Sequence, residues 1–329
     1  LVFRKRWPLR RERFAQKRER IRGVNAGNQN CERRGSEGKQ VCSDRIERKE
    51  NNRRKNRGVE KRLDVKTLVL TGYGINCEEE TAKCFLKTGT KAEITHINDI
   101  INGSKKLKDY QILAFPGGFS YADDTGAGNA LANKIRNNLQ EDIFKFAQED
   151  KLIIAICNGF QALTNLGLIP AVDKKYGDRQ ATLMRNLNVK LECRWVYIKN
   201  TSQNCIWTRN INILHLPIAH GEGNFYAPQE VIEKMEKSDQ IAFKYVHENG
   251  SSANCEFPIN PNGALEDIAG ICDPTGRILG LMPHPERFFA FENEDGWELK
   301  KEQLIREGKE LPKNGDGLKI FRNALEYFS

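Results

Sequence analysis

Cys157 stands where a strand-like sequence changes into a helix-like one, the position that a nucleophile occupies in many α/β enzymes. The apolar run Leu152–Ile156 leads directly into it, and Asn158-Gly159-Phe160-Gln161 then opens a helical pattern. Such a turn holds the thiol at the carboxyl edge of a sheet, where the helix N-terminus favours a thiolate. This segment alone leaves a buried structural cysteine equally open.

A histidine and a glutamate follow a later apolar strand. Residues 278–282 end at Pro283-His284-Pro285-Glu286, so two prolines fix the imidazole at the same carboxyl edge as Cys157. Glu286 can accept a hydrogen bond from one ring nitrogen of His284, as the third member of a Cys–His–Glu triad. The other four histidines are weaker candidates for a catalytic base. His96 lies in a strand pattern and His215 in an apolar run, while His220 lies in a glycine-rich turn and His247 in a polar loop.

A glycine pair supplies a candidate oxyanion site. Pro116-Gly117-Gly118-Phe119-Ser120 ends the third predicted strand, beside the strand that leads to Cys157. The amides of Gly118 and Asn158 could together hold a tetrahedral oxyanion, although an ordinary tight turn explains the glycines as well. Gly72-Tyr73-Gly74 lacks the third glycine of a dinucleotide fingerprint and no Walker A loop occurs, so no ATP site is predicted in this chain.

The elements that would position these residues alternate between strand and helix from Val65 onward. Strand patterns lie at 66–71, 91–97, 110–115 and 151–156, with helical patterns at 78–87 and about 127–148, the latter in one or two pieces. This order predicts an α/β fold with a flavodoxin-like, doubly wound, mainly parallel sheet. Strand-like runs after Pro170 predict an antiparallel extension, and a last strand and a closing amphipathic helix follow: 189–198, 211–218, 241–246, 278–282 and 317–328.

The first 64 residues differ from the rest in charge. They contain 22 Lys and Arg against 9 Asp and Glu, a net charge of +13, and the whole-chain value of +9 leaves −4 for residues 65–329. Because the segment lacks apolar periodicity, we predict a disordered basic extension over 1–64, before a folded domain over 65–329. A native start near Val65 is one reading. The arginine clusters could contact nucleic acid, but we favour a stretch without a selected role.

Cysteine and hydropathy patterns exclude other classes. The nine cysteines are scattered with no C-x-x-C, so no metal site is predicted. Their odd number and the lack of a secretory signal favour reduced thiols in the cytoplasm. No run of about 18 apolar residues occurs, so no membrane span is predicted.

Four motifs in this chain resemble a known family, the glutaminase subunits of phosphoribosylformylglycinamidine synthase. These are triad (class I) glutamine amidotransferases of purine biosynthesis. The resemblance covers about Val65 to Ser329. Ala155 departs from the wider class, which usually has glycine there, and the loop 121–128 resembles the longer variants. The motifs, in family order, are 116–121, 157–161, 217–223 and 282–287.

The resemblance implies that Cys157, His284 and Glu286 release ammonia from glutamine, with Gly118 and Asn158 as oxyanion donors and Gln161 helping to bind glutamine. Ammonia would pass to a synthetase subunit that holds ATP and magnesium and converts formylglycinamide ribonucleotide to the amidine. A small accessory subunit is also expected, and no cofactor in this chain. The alternatives are another class I amidotransferase, a cysteine hydrolase on the same fold, or a nucleic-acid-binding protein acting through its tail.

Deleting residues 1–64 is expected to leave the melting temperature and glutamine turnover unchanged, because that segment has no apolar face to pack. The deletion should remove any salt-sensitive affinity for nucleic acid, since such affinity would come from counterion release at the arginine clusters. Thermal unfolding and glutaminase assays on both forms check this. A marked loss of stability or activity on truncation would mean that the segment packs on the remainder.

Overall fold

The computed structural model describes residues 65–329. The predicted disorder of residues 1–64 lies outside the described residues, and it stays a prediction together with the domain boundary. The described strands are β1 (Lys66–Thr71), β2 (Lys91–His96), β3 (Ile112–Phe115), β4 (Leu152–Ile156), β5 (Thr182–Met184), β6 (Glu192–Asn200), β7 (Ile213–His220), β8 (Asn224–Tyr226), β9 (Ile241–Val246), β10 (Ile268–Cys272) and β11 (Ile278–Leu281). The α-helices are α1 (Glu78–Thr88), α2 (Ile97–Ile101), α3 (Asn129–Gln148), α4 (Asn158–Leu166), α5 (Gln229–Lys237), α6 (Trp297–Arg306) and α7 (Leu318–Tyr327).

Nine strands form one sheet in the order β2-β1-β3-β4-β11-β10-β9-β6-β7, and β5 pairs with β8 in a separate ribbon. Pairing is parallel from β2 through β11 and antiparallel from β11 to β7. The predicted flavodoxin-like sheet with an antiparallel extension is therefore confirmed.

The sheet order brings three strand ends together. β4 lies between β3 and β11, with Ala155 opposite both Phe115 and Gly280. The strand that leads to Cys157 is therefore flanked by the strand before Gly117-Gly118 and the strand before His284. Because parallel strands end at one edge, these three segments meet there.

Helices cover both faces of the parallel part. The chain moves in one direction along the sheet from β1 to β2, through α1, and in the opposite direction from β3 to β4, through α3. Because both crossovers are right-handed, α1 and α3 lie on opposite faces. The Phe85 ring of α1 meets the Phe321 ring of α7 edge to face, with centroids 5.0 Å apart. All of β4 is buried, as expected for a strand covered on both sides.

Several elements differ from the sequence prediction. Residues 189–191 lie in a loop rather than in β6, and α3 is one continuous helix. β2 ends at His96 because its Nδ1 accepts a hydrogen bond from the Asn98 amide at 3.1 Å, which caps α2. Three strands, β5, β8 and β10, were not predicted from sequence, and neither were three helices, α2, α5 and α6. None of the helices between residues 65 and 329 has both the length and the apolar character needed to cross a bilayer.

Candidate active site

Cys157 occupies a strained turn between β4 and α4. Its backbone has φ 51° and ψ −107°, in a region that non-glycine residues rarely adopt. The Cys157 amide donates to the Leu281 carbonyl at 2.8 Å, which ties the turn to β11. A Cβ on Gly159 would lie 2.1 Å from the Phe115 carbonyl oxygen, so only glycine lets α4 start this close to β3. The predicted nucleophile elbow is thus present in the backbone.

His284 and Glu286 form a buried pair beside this turn. The Nδ1–H of His284 donates to Glu286 Oε1 at 2.6 Å, and the two side chains are 1% and 0% exposed. Burial disfavours the imidazolium, but the Glu286 carboxylate and the Cys157 thiol more than offset this and hold the pKa of His284 well above its usual range. His284 Nε2 makes no hydrogen bond within residues 65–329, so it remains available for chemistry.

Gly117 is the point where these side chains meet. A Cβ at this position would lie 2.7 Å from His284 Cε1 and 3.4 Å from Cys157 Cβ. The same Cβ would lie 3.4 Å from the sulfur of Cys77. The absence of a side chain at Gly117 therefore leaves room for His284 to approach Cys157.

Cys77 joins the cluster although sequence reasoning missed it. It is buried, and its Sγ accepts a hydrogen bond from Arg287 Nη2 at 3.1 Å. Ligand atoms of Cys77, His284 and Glu286 lie within 4.8 Å of one another, a donor set that a transition metal could use. The sulfur already contacts Arg287 and the carboxylate already binds His284, so we assign no metal to the cluster. The sequence feature that could have identified Cys77 is its position after β1, at the same edge of the sheet.

The two predicted oxyanion donors lie on neighbouring segments, Gly118 in the loop after β3 and Asn158 at the first position of α4. Gly118 has φ 152°, and a Cβ there would lie 2.5 Å from the Gly74 carbonyl oxygen, so the position requires glycine. Within residues 65–329, neither the Gly118 amide nor the Asn158 amide donates a hydrogen bond. The Asn158 side chain ties α4 to the loop after β3, because its Oδ1 accepts from the Ser120 amide at 3.0 Å and its Nδ2 donates to Asp123 Oδ1 at 3.0 Å. Within α4, Nδ2 also donates to Gln161 Oε1 at 2.9 Å.

A pocket of about 180 Å³ opens onto Cys157. It is smaller than the roughly 300–1,000 Å³ of drug-sized sites, so it suits a small metabolite. Gln161 belongs to its wall, where Nε2 donates to the Glu222 carbonyl at 2.6 Å. The rest of the lining comes from the loop after β3, the residue before β6, and the end of β7 with the turn that follows it: Gly118, Phe119, Asp123, Ala127, Leu191, Ala219, His220, Gly221 and Glu222.

His220 supports the pocket wall rather than serving as a base. It is 2% exposed, and burial, helped by the charge of His284, lowers its pKa to about 3. The neutral ring donates from Nδ1 to Asn186 Oδ1 at 3.1 Å, and that oxygen also accepts from the Gly223 amide at 2.9 Å. Asn186 Nδ2 donates to the His220 carbonyl at 2.8 Å. One buried asparagine thus fixes the whole 220–223 turn, and nothing in its sequence context indicated this role.

Two carboxylates face the same pocket. Glu222 Oε2 accepts from the Ala127 amide at 3.1 Å, and the mostly exposed Arg185 lies 3.9 Å from Oε1. Burial raises the pKa of Asp123, and the nearby Glu222 charge adds to this. Asp123 and Glu222 therefore repel each other, which creates a position that favours a cation.

The chain resembles known proteins over the described region. A family model for the CobB/CobQ-like glutamine amidotransferase domain matches residues 64–328. The subunit PurQ of phosphoribosylformylglycinamidine synthase from Methanococcus maripaludis is 53% identical over 265 residues, which cover 80% of this chain and 97% of that protein. This chain belongs to the PurQ family. The family resemblance inferred from the four motifs is confirmed, and so is the glutamine amidotransferase class.

More distant members of the PurQ family agree. The PurQ subunit from Dehalococcoides mccartyi is 43% identical over 264 residues, covering 80% of this chain and 97% of that protein. A chain of the PurLQS structure from Thermotoga maritima superposes with a TM-score of 0.59 at 27% identity, covering 81% of this chain and 100% of that one. The likeness therefore extends over nearly the full length of both proteins.

Proposed function

We propose that this chain hydrolyses glutamine and delivers the ammonia to the synthetase subunit of phosphoribosylformylglycinamidine synthase, in de novo purine biosynthesis. One observation carries the proposal: a cysteine elbow beside a buried His284–Glu286 pair, in a chain 53% identical to a PurQ subunit. ATP and magnesium belong to the synthetase subunit, a small accessory subunit completes the assembly, and this chain needs no cofactor. The cytoplasm is the proposed compartment.

The chemistry follows from the order of the groups. The Cys157 thiolate attacks the carboxamide carbon of glutamine, while the Gly118 and Asn158 amides stabilise the oxyanion. His284 Nε2–H protonates the carboxamide nitrogen as its bond to carbon breaks, so that ammonia departs and a γ-glutamyl thioester is left on the sulfur. The imidazole then takes a proton from water, which hydrolyses the thioester to glutamate. Glu286 holds the ring in the required tautomer and stabilises its charged form.

The charge of the pocket orients the substrate. Glutamine carries an α-ammonium at the end opposite its carboxamide. With the carboxamide at Cys157, the Glu222 and Asp123 carboxylates face the ammonium, and the exposed Arg185 suits the α-carboxylate. Gln161 shapes the wall between the two ends.

Changing Glu222 to glutamine is expected to raise KM for glutamine about 10- to 100-fold, because a hydrogen bond to a charged group contributes about 1.5–3 kcal/mol. The decisive comparison uses 4-carbamoylbutanoate, which keeps the carboxamide and lacks the amino group. Its kinetics should change little in the variant. Glu230→Gln, on the exposed face of α5, is the matched control. An equal effect on both substrates would mean that Glu222 only supports the fold.

A glutaminase assay with and without the synthetase subunit tests the proposed function itself. Glutamine hydrolysis that supports amidation of formylglycinamide ribonucleotide is the expected result. Peptide hydrolysis, or ammonia transfer to a different acceptor, would favour another enzyme of the same fold. Nucleic-acid binding with no glutaminase activity would favour the remaining alternative.

A further inference from the structure

The turn after β5 exposes three apolar side chains. Leu187, Val189 and Leu191 are 78%, 73% and 59% exposed, and together they define the 187–191 loop. Single exposed apolar residues are common on protein surfaces and need no explanation. Three within five residues, all of them aliphatic, form a patch of the kind that marks an interaction site.

The loop is held in place by hydrogen bonds. The Leu187 amide donates to the Asn262 carbonyl at 3.0 Å, and the Val189 amide donates to the Asn186 carbonyl at 2.8 Å. Asn188 Oδ1 accepts from the Lys190 amide at 3.0 Å. Val189 has φ 57°, which is unusual for a β-branched residue and is retained where the surroundings fix it. A partner would therefore meet a pre-ordered surface and lose little entropy in binding it.

A fourth apolar side chain extends this face. Phe257 is 58% exposed, and the Arg194 guanidinium lies over its ring at 4.8 Å. Arg194 also pairs with Glu192, which accepts a hydrogen bond from Asn188 of the loop. This chain of contacts links Phe257 to Asn188 of the 187–191 loop.

The face adjoins the mouth of the catalytic pocket. Leu191 lines that pocket together with Cys157, so one end of the patch lies where the pocket opens. Ammonia released at Cys157 must leave the pocket, and a partner seated beside the opening would receive it before it mixes with solvent. Lys190 is exposed within the loop, so the matching surface should be apolar at its centre and carry an acidic group opposite this lysine.

We propose that the 187–191 loop and Phe257 form the docking surface for the synthetase subunit, which covers the pocket mouth when bound. The inference rests on the proposed function, because that function identifies the synthetase subunit as the partner bound at this surface. Docking depends on the apolar side chains of the loop, and hydrolysis of glutamine depends on the residues of the pocket. The two should therefore separate by mutation.

The test is the double variant Leu187→Glu, Val189→Asp, in which aspartate tolerates the left-handed backbone. Neither position lies in the pocket wall. Sedimentation or calorimetry with the full synthetase subunit should show Kd raised about 100-fold, as for central interface residues. Glutaminase activity of the isolated chain and its melting temperature should remain unchanged. The matched control is Leu299→Glu, Ile305→Asp on α6, where exposures are 67% and 52%.

Each other outcome overturns the inference in its own way. An unchanged Kd in the 187–191 variant would place docking elsewhere, and equal weakening by the α6 control would make the effect nonspecific. Loss of a self-associated form, with affinity for the synthetase retained, would assign the face to a second copy of this chain. Absence of glutaminase activity in the wild-type protein would instead contradict the proposed function.

Discussion

Replacing Cys157 by serine is expected to abolish glutamine-dependent amidation by the assembled enzyme and to leave amidation with free ammonia intact. Glutamine turnover should fall by about 10⁴-fold or more, as when a nucleophile is removed from a triad. Ammonia-dependent turnover should persist because Cys157 only releases ammonia and the amination takes place on the synthetase. Both rates are measured on the same purified complex, with glutamine and with ammonium chloride.

The control for this prediction is Cys193→Ser, which removes an exposed thiol outside the pocket and should leave both activities unchanged. Equal loss of both activities in the Cys157 variant, despite normal assembly, would contradict the proposed division of labour between the subunits.

Alanine at His284 and alanine at Cys157 are expected to cause similarly large losses of glutamine turnover, and the double variant should lose little more. Members of a triad act as a unit, so either removal already forfeits the shared chemistry. In Glu286→Gln, the loss of glutamine turnover should be about 100-fold smaller than in either alanine variant, because Glu286 orients the imidazole and transfers no proton. Glutamate release by the isolated variants gives these rates directly.

His247→Ala, in a loop away from the pocket lining, is the matched control for His284→Ala. Losses that multiply in the double variant would argue that Cys157 and His284 contribute independently. A Glu286→Gln variant as inactive as His284→Ala would give the carboxylate a larger role than orientation.

The positions of Cys157 and His284 could be predicted because each follows an apolar strand that a sharp turn ends. Parallel strand ends meet at one edge, so the sequence order was enough to place the two side chains together. The same reasoning located Gly118. These inferences needed only local patterns and one rule of sheet topology.

Other features depend on contacts between distant segments and leave no local pattern. Asn186 acts through His220 and Gly223, and Cys77 acts through Arg287, 210 residues along the chain. β10 was missed because Gly270 weakens the strand pattern in the sequence. The structure needs glycine at this position, since a Cβ there would lie 2.9 Å from Leu281 Cβ on the neighbouring strand. Val189 and Leu191 were predicted to begin a strand, since hydropathy alone does not distinguish a buried alternation from an exposed one.

The hydrogen bonds of Asn186 connect the 187–191 loop with the pocket that binds glutamine, so binding at one can affect binding at the other. Its backbone carbonyl holds the Val189 amide, while its side chain holds the turn that carries Glu222. If docking on the loop favours an arrangement of this asparagine in which the pocket binds glutamine more tightly, the affinity for glutamine rises by some factor. Linkage requires glutamine to change the affinity for the synthetase by that same factor. An occupied pocket would then prolong the life of the complex, and an emptied one would shorten it.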